Sequence, residues 1–156
     1  MKITWKTLWI CLAIPLVVGG ASALLSMGGM QAFEMLIKPP LSPPAWLFPV
    51  VWTILYALMG LASYLIFTAK APKMQIENAL KVYALQLFFN FCWSIFFFNF
   101  KLYWFAFVWL LVLWVLIVWC IVLFNRISKP AAYLLVPYLF WVTFAAYLNA
   151  AIAVLN

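Results

Sequence analysis

Three groups of side chains in this sequence have the types and spacing to do chemistry, and that chemistry is recognition by stacking and hydrogen bonding. Trp52 and Tyr56 stand four residues apart, so on a helix they share a face. Gln86, Asn90, Trp93 and Phe97 follow a four-three-four spacing and fall on one face as well. Tyr138, Trp141, Ala145 and Asn149 form a third face, on which Ala145 leaves room for a neighbouring helix or a flat ligand. Aromatic rings supply stacking surfaces, and the amides of Gln86 and Asn90 can orient the polar edges of a bound molecule. The same amides can instead join helices, at about 0.6–2 kcal/mol per hydrogen bond. Both readings stand at this level.

What the sequence lacks narrows the chemistry further. It contains no histidine, and its only acids are Glu34 and Glu77. A histidine-ligated haem, a histidine-containing zinc site, a Ser-His-Asp triad and a carboxylate dyad within a helix are therefore excluded. Cys11, Cys92 and Cys120 lie singly inside apolar runs with no CxxC pair, and read as buried thiols rather than disulfides or metal ligands. No metal site and no resident cofactor is expected. With no general acid or base in the apolar segments, an enzymatic role reduces to a ligand's own photochemistry with tryptophans as reaction partners.

The elements that must position these faces are membrane spans. Of 156 residues 71% are hydrophobic and 7% charged, far below the roughly 25% charged of a soluble domain. The sequence predicts an all-α integral membrane protein, one domain over 1–156, with spans at about 5–26, 46–68, 78–100, 102–124 and 131–155. Gly28-Gly29 is expected to break the first span, and Pro15 to kink it. Gly19 and Ala23 give it a small-xxx-small spacing for close helix approach. Ala21-Ser22-Ala23 resembles a signal-cleavage site, but the apolar run continues past it. Lys70, Pro72, Lys73 and Glu77 read as a polar turn before the third span. Trp104, Trp109, Trp114 and Trp119 recur every five residues, which spirals them around the fourth span toward lipid or the interface.

The first loop is distinctive. Pro39, Pro40, Pro43 and Pro44 fix four backbone angles within six positions and lead into Pro49, at home in the first turn of a helix. Such a loop has little entropy to lose, and it reads either as a membrane-entry turn with a tryptophan anchor at the interface or as a lid over an aromatic-walled pocket. Lys38 at its base is placed to meet a ligand carboxylate. The net charge of +7 comes from basic residues standing singly at the ends of apolar runs, so it reports topology rather than nucleic-acid binding. Seven of them (Lys2, Lys6, Lys70, Lys73, Lys81, Arg126, Lys129) fall on one side, and Lys38 and Lys101 on the other. This count predicts an inside N-terminus, an outside C-terminus and an outward-facing proline loop.

Three motifs, Pro43-Pro44-x-Trp46-x-Phe48-Pro49-x-x-Trp52-Thr53-x-Leu55-Tyr56, Gln86-Leu87-x-x-Asn90-x-x-Trp93-Ser94 and Pro137-Tyr138-x-x-Trp141-x-x-Phe144-Ala145-x-x-Leu148-Asn149, together resemble the tryptophan-rich sensory protein/translocator protein (TspO/MBR, peripheral-type benzodiazepine receptor) family. The resemblance implies a five-helix bundle, often dimeric, that binds porphyrins such as protoporphyrin IX in a cavity between helices under the first loop. It carries the family's ligand contacts to Pro44, Trp52, Asn90, Trp93, Trp141, Ala145 and Leu148. It also implies light-dependent porphyrin breakdown in some bacterial relatives, with Trp52 and Trp141 as the reacting residues here. The expected partners are thus a tetrapyrrole, membrane lipid and a second copy of the chain, in a bacterial cell membrane. Movement of porphyrin or a lipid-like molecule across the membrane is the alternative. Two features depart from the family: no basic residue follows Tyr147 to complete a sterol motif, and the third span offers only Ala79 and Ala84 as small residues for a dimer seam.

Overall fold

The computed structural model describes residues 2–156, with the side chains of Met30 and Gln31 left undescribed. Five helices account for nearly all of it: α1 (Trp5–Phe33), α2 (Leu47–Phe67), α3 (Lys73–Ser94), α4 (Tyr103–Ile127) and α5 (Lys129–Leu155). Residues Ile95–Asn99 extend α3 as a turn of π-helix. All five are long and apolar enough to cross a membrane, and no strand occurs among the described residues. The contacts α1–α2, α2–α5, α5–α4 and α4–α3 close the helices into a bundle, with α3 and its π-helical turn returning to α1.

Helix ends follow local chemistry. The backbone N–H of Thr4 donates to the Tyr64 hydroxyl at 2.9 Å, tying the start of α1 to the end of α2. Pro72 precedes α3 with its fixed φ of −55°, and Lys73 pairs with Glu77 one turn on at 3.8 Å. The Pro72 carbonyl accepts the Ile76 N–H at 3.2 Å, so the third helix begins at Lys73 rather than near 78: residues expected in a polar turn form an exposed first turn of helix, to which the ion pair adds little. Arg126 lies in the last turn of α4, where a cation suits the carbonyl end of the helix, and α4 runs to Ile127 rather than 124. Ser128 then caps α5, its side chain accepting the Ala131 N–H, so that the fifth helix starts at Lys129 rather than 131.

The largest difference from expectation lies in α1, which runs unbroken through Gly28-Gly29 to Phe33. Packing overrides the intrinsic cost of glycine here. A Cβ at Gly29 would strike the backbone of Phe98, so glycine is what lets α1 lie against the π-helical turn. Polar side chains fasten that contact: Asn99 Nδ2 donates to the Leu25 carbonyl at 2.7 Å, Ser22 Oγ to the Phe91 carbonyl at 3.2 Å and Ser26 Oγ to Ser94 Oγ at 3.3 Å. Of the expected small-residue pair, Gly19 takes the Tyr56 ring against its backbone, whereas Ala23 is exposed. The reciprocal close approach is at Gly60, where a Cβ would lie 2.7 Å from the Cys11 carbonyl oxygen and the Leu12 Cα.

The tryptophan spiral of α4 divides in two. Trp104 and Trp119 are exposed, as an outward-facing ring would be. Trp109 and Trp114 are instead turned into the helix seams. Trp109 stacks on Phe89 at 4.1 Å and donates to its carbonyl at 2.8 Å, while Trp114 Nε1 donates to Thr143 Oγ1 at 2.8 Å. A step of five residues rotates about 140°, so with helices on both flanks of α4 the spiral cannot stay on one side.

Candidate functional site

The centre of the bundle is a hydrogen-bonded chain of aromatic hydroxyls and amides contributed by α2, α3 and α5. The Tyr56 hydroxyl donates to Asn90 Oδ1 at 2.7 Å, and Asn90 Nδ2 donates to the Tyr138 hydroxyl at 2.8 Å. Tyr138 in turn donates to Gln86 Oε1 at 2.7 Å. All four side chains are buried. A buried polar atom left without a partner carries a desolvation cost of about 1–3 kcal/mol. The chain avoids that cost with one exception, Gln86 Nε2, which has no partner. The four-residue spacing on α3 brings Gln86 and Asn90 to the same side, one turn apart, where the tyrosines of the two flanking helices converge.

Trp52 rests on this chain. Its ring stacks on Tyr56 with centroids 5.4 Å apart and meets Tyr138 edge-on at 6.2 Å. Trp141, one turn along α5 from Tyr138, meets Phe48 edge-on at 5.9 Å, and its indole N–H is buried without an acceptor. Trp93 lies nearer the C-terminal end of α3. It stacks on Phe97 at 5.3 Å and donates to Asn149 Oδ1 at 3.0 Å, and Asn149 Nδ2 donates to the Tyr103 carbonyl at 2.9 Å.

The seven residues expected to contact a ligand therefore fall in different settings. Asn90 belongs to the central chain and Trp52 stacks against it, while Trp93 belongs to the aromatic cluster beside it and Trp141 to the α2–α5 seam. Ala145 and Leu148 are buried along α5, and Pro44 is exposed in the loop. Of the two readings open for the amides, the interhelical one accounts for Asn90, whose oxygen and nitrogen are both engaged within the protein. Of the two small residues expected on the third helix, Ala79 is fully buried within its own bundle and Ala84 alone faces outward.

Two open recesses lie along α5. One, of about 430 Å³, lies beneath the proline loop between Pro39 and Pro40 and the Tyr147, Ala151 and Leu155 side of α5. The other, of about 510 Å³, runs along the α2–α5 seam and includes Ile54, Leu55, Pro137, Phe140 and Trp141. The loop is clasped to the end of α5. Ile37 N–H donates to Asn156 Oδ1 at 3.2 Å, Asn156 Nδ2 to the Ile37 carbonyl at 2.9 Å, and the Tyr147 hydroxyl to the Pro40 carbonyl at 2.8 Å. Lys38 does not reach over a cavity: its ammonium donates to the Glu34 carbonyl at 3.1 Å and sits 5.1 Å above the Phe33 ring. Within the loop, Ser42 Oγ donates to the Pro39 carbonyl at 2.8 Å, and Leu41 adopts a positive φ of 70°. Sequence reasoning missed both this clasp and the seam groove. Its one usable signal for the groove was the pairing of Pro137 with Phe140 and Phe144 on the outward side of the last span.

No group of metal-ligating side chains occurs among the described residues. Five membrane-spanning helices wrapped around an aromatic–amide core define a polytopic α-helical membrane protein whose polar centre is built from phenols, indoles and carboxamides. The chain belongs to the TspO/MBR family, whose model matches residues 11–155. It is 40% identical over 151 residues to the tryptophan-rich protein TspO of Chlorobaculum tepidum, covering 96% of each chain. It is 36% identical to the tryptophan-rich sensory protein of Cereibacter sphaeroides, covering 75% of this chain and 72% of that one. With the translocator protein of Homo sapiens it shares 35% identity over 127 residues, 78% of this chain and 72% of that one.

Proposed function

We propose that this membrane protein binds a flat, amphipathic tetrapyrrole of the protoporphyrin type against the aromatic face formed by Trp52, Trp141 and their neighbours. The observation that carries this reading is the setting of Trp52. Its ring is held on two sides by Tyr56 and Tyr138, whose hydroxyls are themselves fixed by Asn90 and Gln86. A ring locked in this way loses little freedom when a second planar group stacks on it. Trp141 adds a buried N–H with no acceptor, matched to a carbonyl or carboxylate on the ligand. Recognition rests on stacking and one or two hydrogen bonds. With no histidine to ligate iron, metal-free protoporphyrin binds at least as well as haem.

The names translocator protein and tryptophan-rich sensory protein belong to relatives and suggest two uses of one binding event. Binding with sensing, or with light-dependent breakdown of the bound ring at Trp52 and Trp141, needs no ionisable group in the spans. Transport is the alternative, and coupled carriers bury such groups within their spans. A homodimer seamed along α3 would use Ala84. The deciding experiment is titration of the purified protein in lipid nanodiscs with protoporphyrin IX, read by quenching of tryptophan emission, followed by porphyrin flux into liposomes. Saturable quenching without net flux supports the binder. Saturable quenching with vectorial flux supports the carrier, and unsaturable quenching removes both.

A further inference from the structure

We propose that the groove between α2 and α5 is a lateral entrance through which a porphyrin dissolved in the bilayer reaches the Trp52 face. This rests on the binding reading above and specifies its route. Val51, Ile54 and Leu58 of α2 face Pro137, Phe140 and Phe144 of α5 across a recess of about 510 Å³ that opens toward lipid. Ile54 and Phe140 are 55% and 71% exposed, so the mouth is lined by side chains free to move aside. Leu55 and Trp141 form its inner wall, and both pack in the same core cluster as Trp52, Tyr56 and Tyr138.

Three further observations favour this seam over the loop. The indole N–H of Trp141, at the inner wall, is buried with no acceptor, so an entering molecule with a carbonyl or carboxylate oxygen meets a waiting donor there. Pro137, in the groove, has no N–H to give to the carbonyl one turn earlier, so α5 is most easily bent at the seam itself. The loop, by contrast, is fastened to the end of α5 by the two Asn156–Ile37 hydrogen bonds and the one from Tyr147 to Pro40, so moving it breaks three bonds. A porphyrin partitions into hydrocarbon, so the lipid side is also where the ligand is concentrated.

An entrance changes rates without changing affinity, whereas a contact in the bound state changes affinity. The test is stopped-flow mixing of protoporphyrin IX with the protein in nanodiscs, followed by the porphyrin's own emission, for the parent and four variants. Ile54→Trp narrows the mouth and is expected to slow association and dissociation together by about fivefold, with the dissociation constant within about twofold of the parent. Phe140→Ala widens it and speeds both. Val115→Trp, on the exposed face of α4, and the double variant Tyr147→Phe/Asn156→Ala, which frees the loop, keep parental rates. The entrance is overturned if the groove variants keep parental rates, as they would where the groove merely holds an acyl chain. It is also overturned if they change affinity alone, or if freeing the loop is what accelerates binding. Absence of saturable porphyrin binding by the parent removes the binding reading and the entrance together. Intact binding with groove-insensitive rates removes only the entrance.

Discussion

Replacing Asn90 by Leu keeps the number and branching of side-chain heavy atoms but removes the hub of the central chain. In the parent it accepts from Tyr56 at 2.7 Å and donates to Tyr138 at 2.8 Å. Each interhelical bond in a membrane bundle is worth about 0.6–1.7 kcal/mol, so the pair contributes about 1–3 kcal/mol. The Tyr56 hydroxyl, on a side chain 8% exposed, is then buried with no acceptor, which adds about 1–3 kcal/mol. Tyr138 still donates to Gln86, so its loss is smaller. The expected destabilisation of Asn90→Leu is about 2–5 kcal/mol, and Tyr56→Phe alone costs about 1–2 kcal/mol through the stranded Asn90 oxygen. The double variant no longer strands a hydroxyl, so its cost falls short of the sum by about 1–2 kcal/mol. Reversible unfolding in bicelles, followed by tryptophan emission, measures the cycle. Additivity within about 0.3 kcal/mol would refute the Tyr56–Asn90 bond and, with it, the reason Trp52 is held in place.

Gly60→Ala forces a Cβ against the backbone of α1 and should destabilise by about 1–3 kcal/mol, whereas Gly20→Ala, with open space around it, should be neutral or slightly stabilising in the same unfolding assay. Trp114→Phe removes the donor to Thr143 and should cost about 0.5–1.5 kcal/mol of stability with porphyrin affinity unchanged, since the ring lies on the α4–α5 seam. Trp52→Phe should weaken porphyrin binding by about 1–2 kcal/mol in a fluorescence titration while leaving the fold intact. A reporter in the turn before Lys73 should be active on the inner side of the membrane and one at the C-terminus on the outer side, following the asymmetry of basic residues.

The parts of this structure that a helical period controls were legible in the sequence. Gln86, Asn90, Trp93 and Phe97 share an inward face as their spacing requires, and five apolar runs became five spanning helices. Positions fixed by another helix were not legible. Gly28-Gly29 reads locally as a helix break, and only the Phe98 backbone lying against Gly29 shows why the helix continues. Trp109 and Trp114 follow the same five-residue step as Trp104 and Trp119, yet the neighbours of α4 turn the first pair inward and leave the second outward. The clasp of Ile37 on Asn156 joins residues 119 positions apart, and no spacing rule connects them. At the candidate site, sequence supplied the aromatic and amide residues. It could not assign donors to acceptors, because Tyr56, Asn90 and Tyr138 meet only once three helices are docked.

The central claim is that a porphyrin lies against Trp52 and Trp141, and light can be made to report it. A bound porphyrin irradiated in air generates singlet oxygen, which oxidises the indoles nearest to it. The protein in nanodiscs, loaded with one equivalent of protoporphyrin IX, would be illuminated briefly and digested, and the oxidation at each tryptophan measured by mass spectrometry. Trp5, Trp9, Trp104 and Trp119 are 50–63% exposed and serve as internal comparators for porphyrin dissolved in lipid. Oxidation concentrated at Trp52 and Trp141, and suppressed by a competing ligand that has no absorption at the chosen wavelength, is the predicted result. Oxidation that follows exposure, with the four outer tryptophans modified first and Trp52 and Trp141 intact, would contradict it.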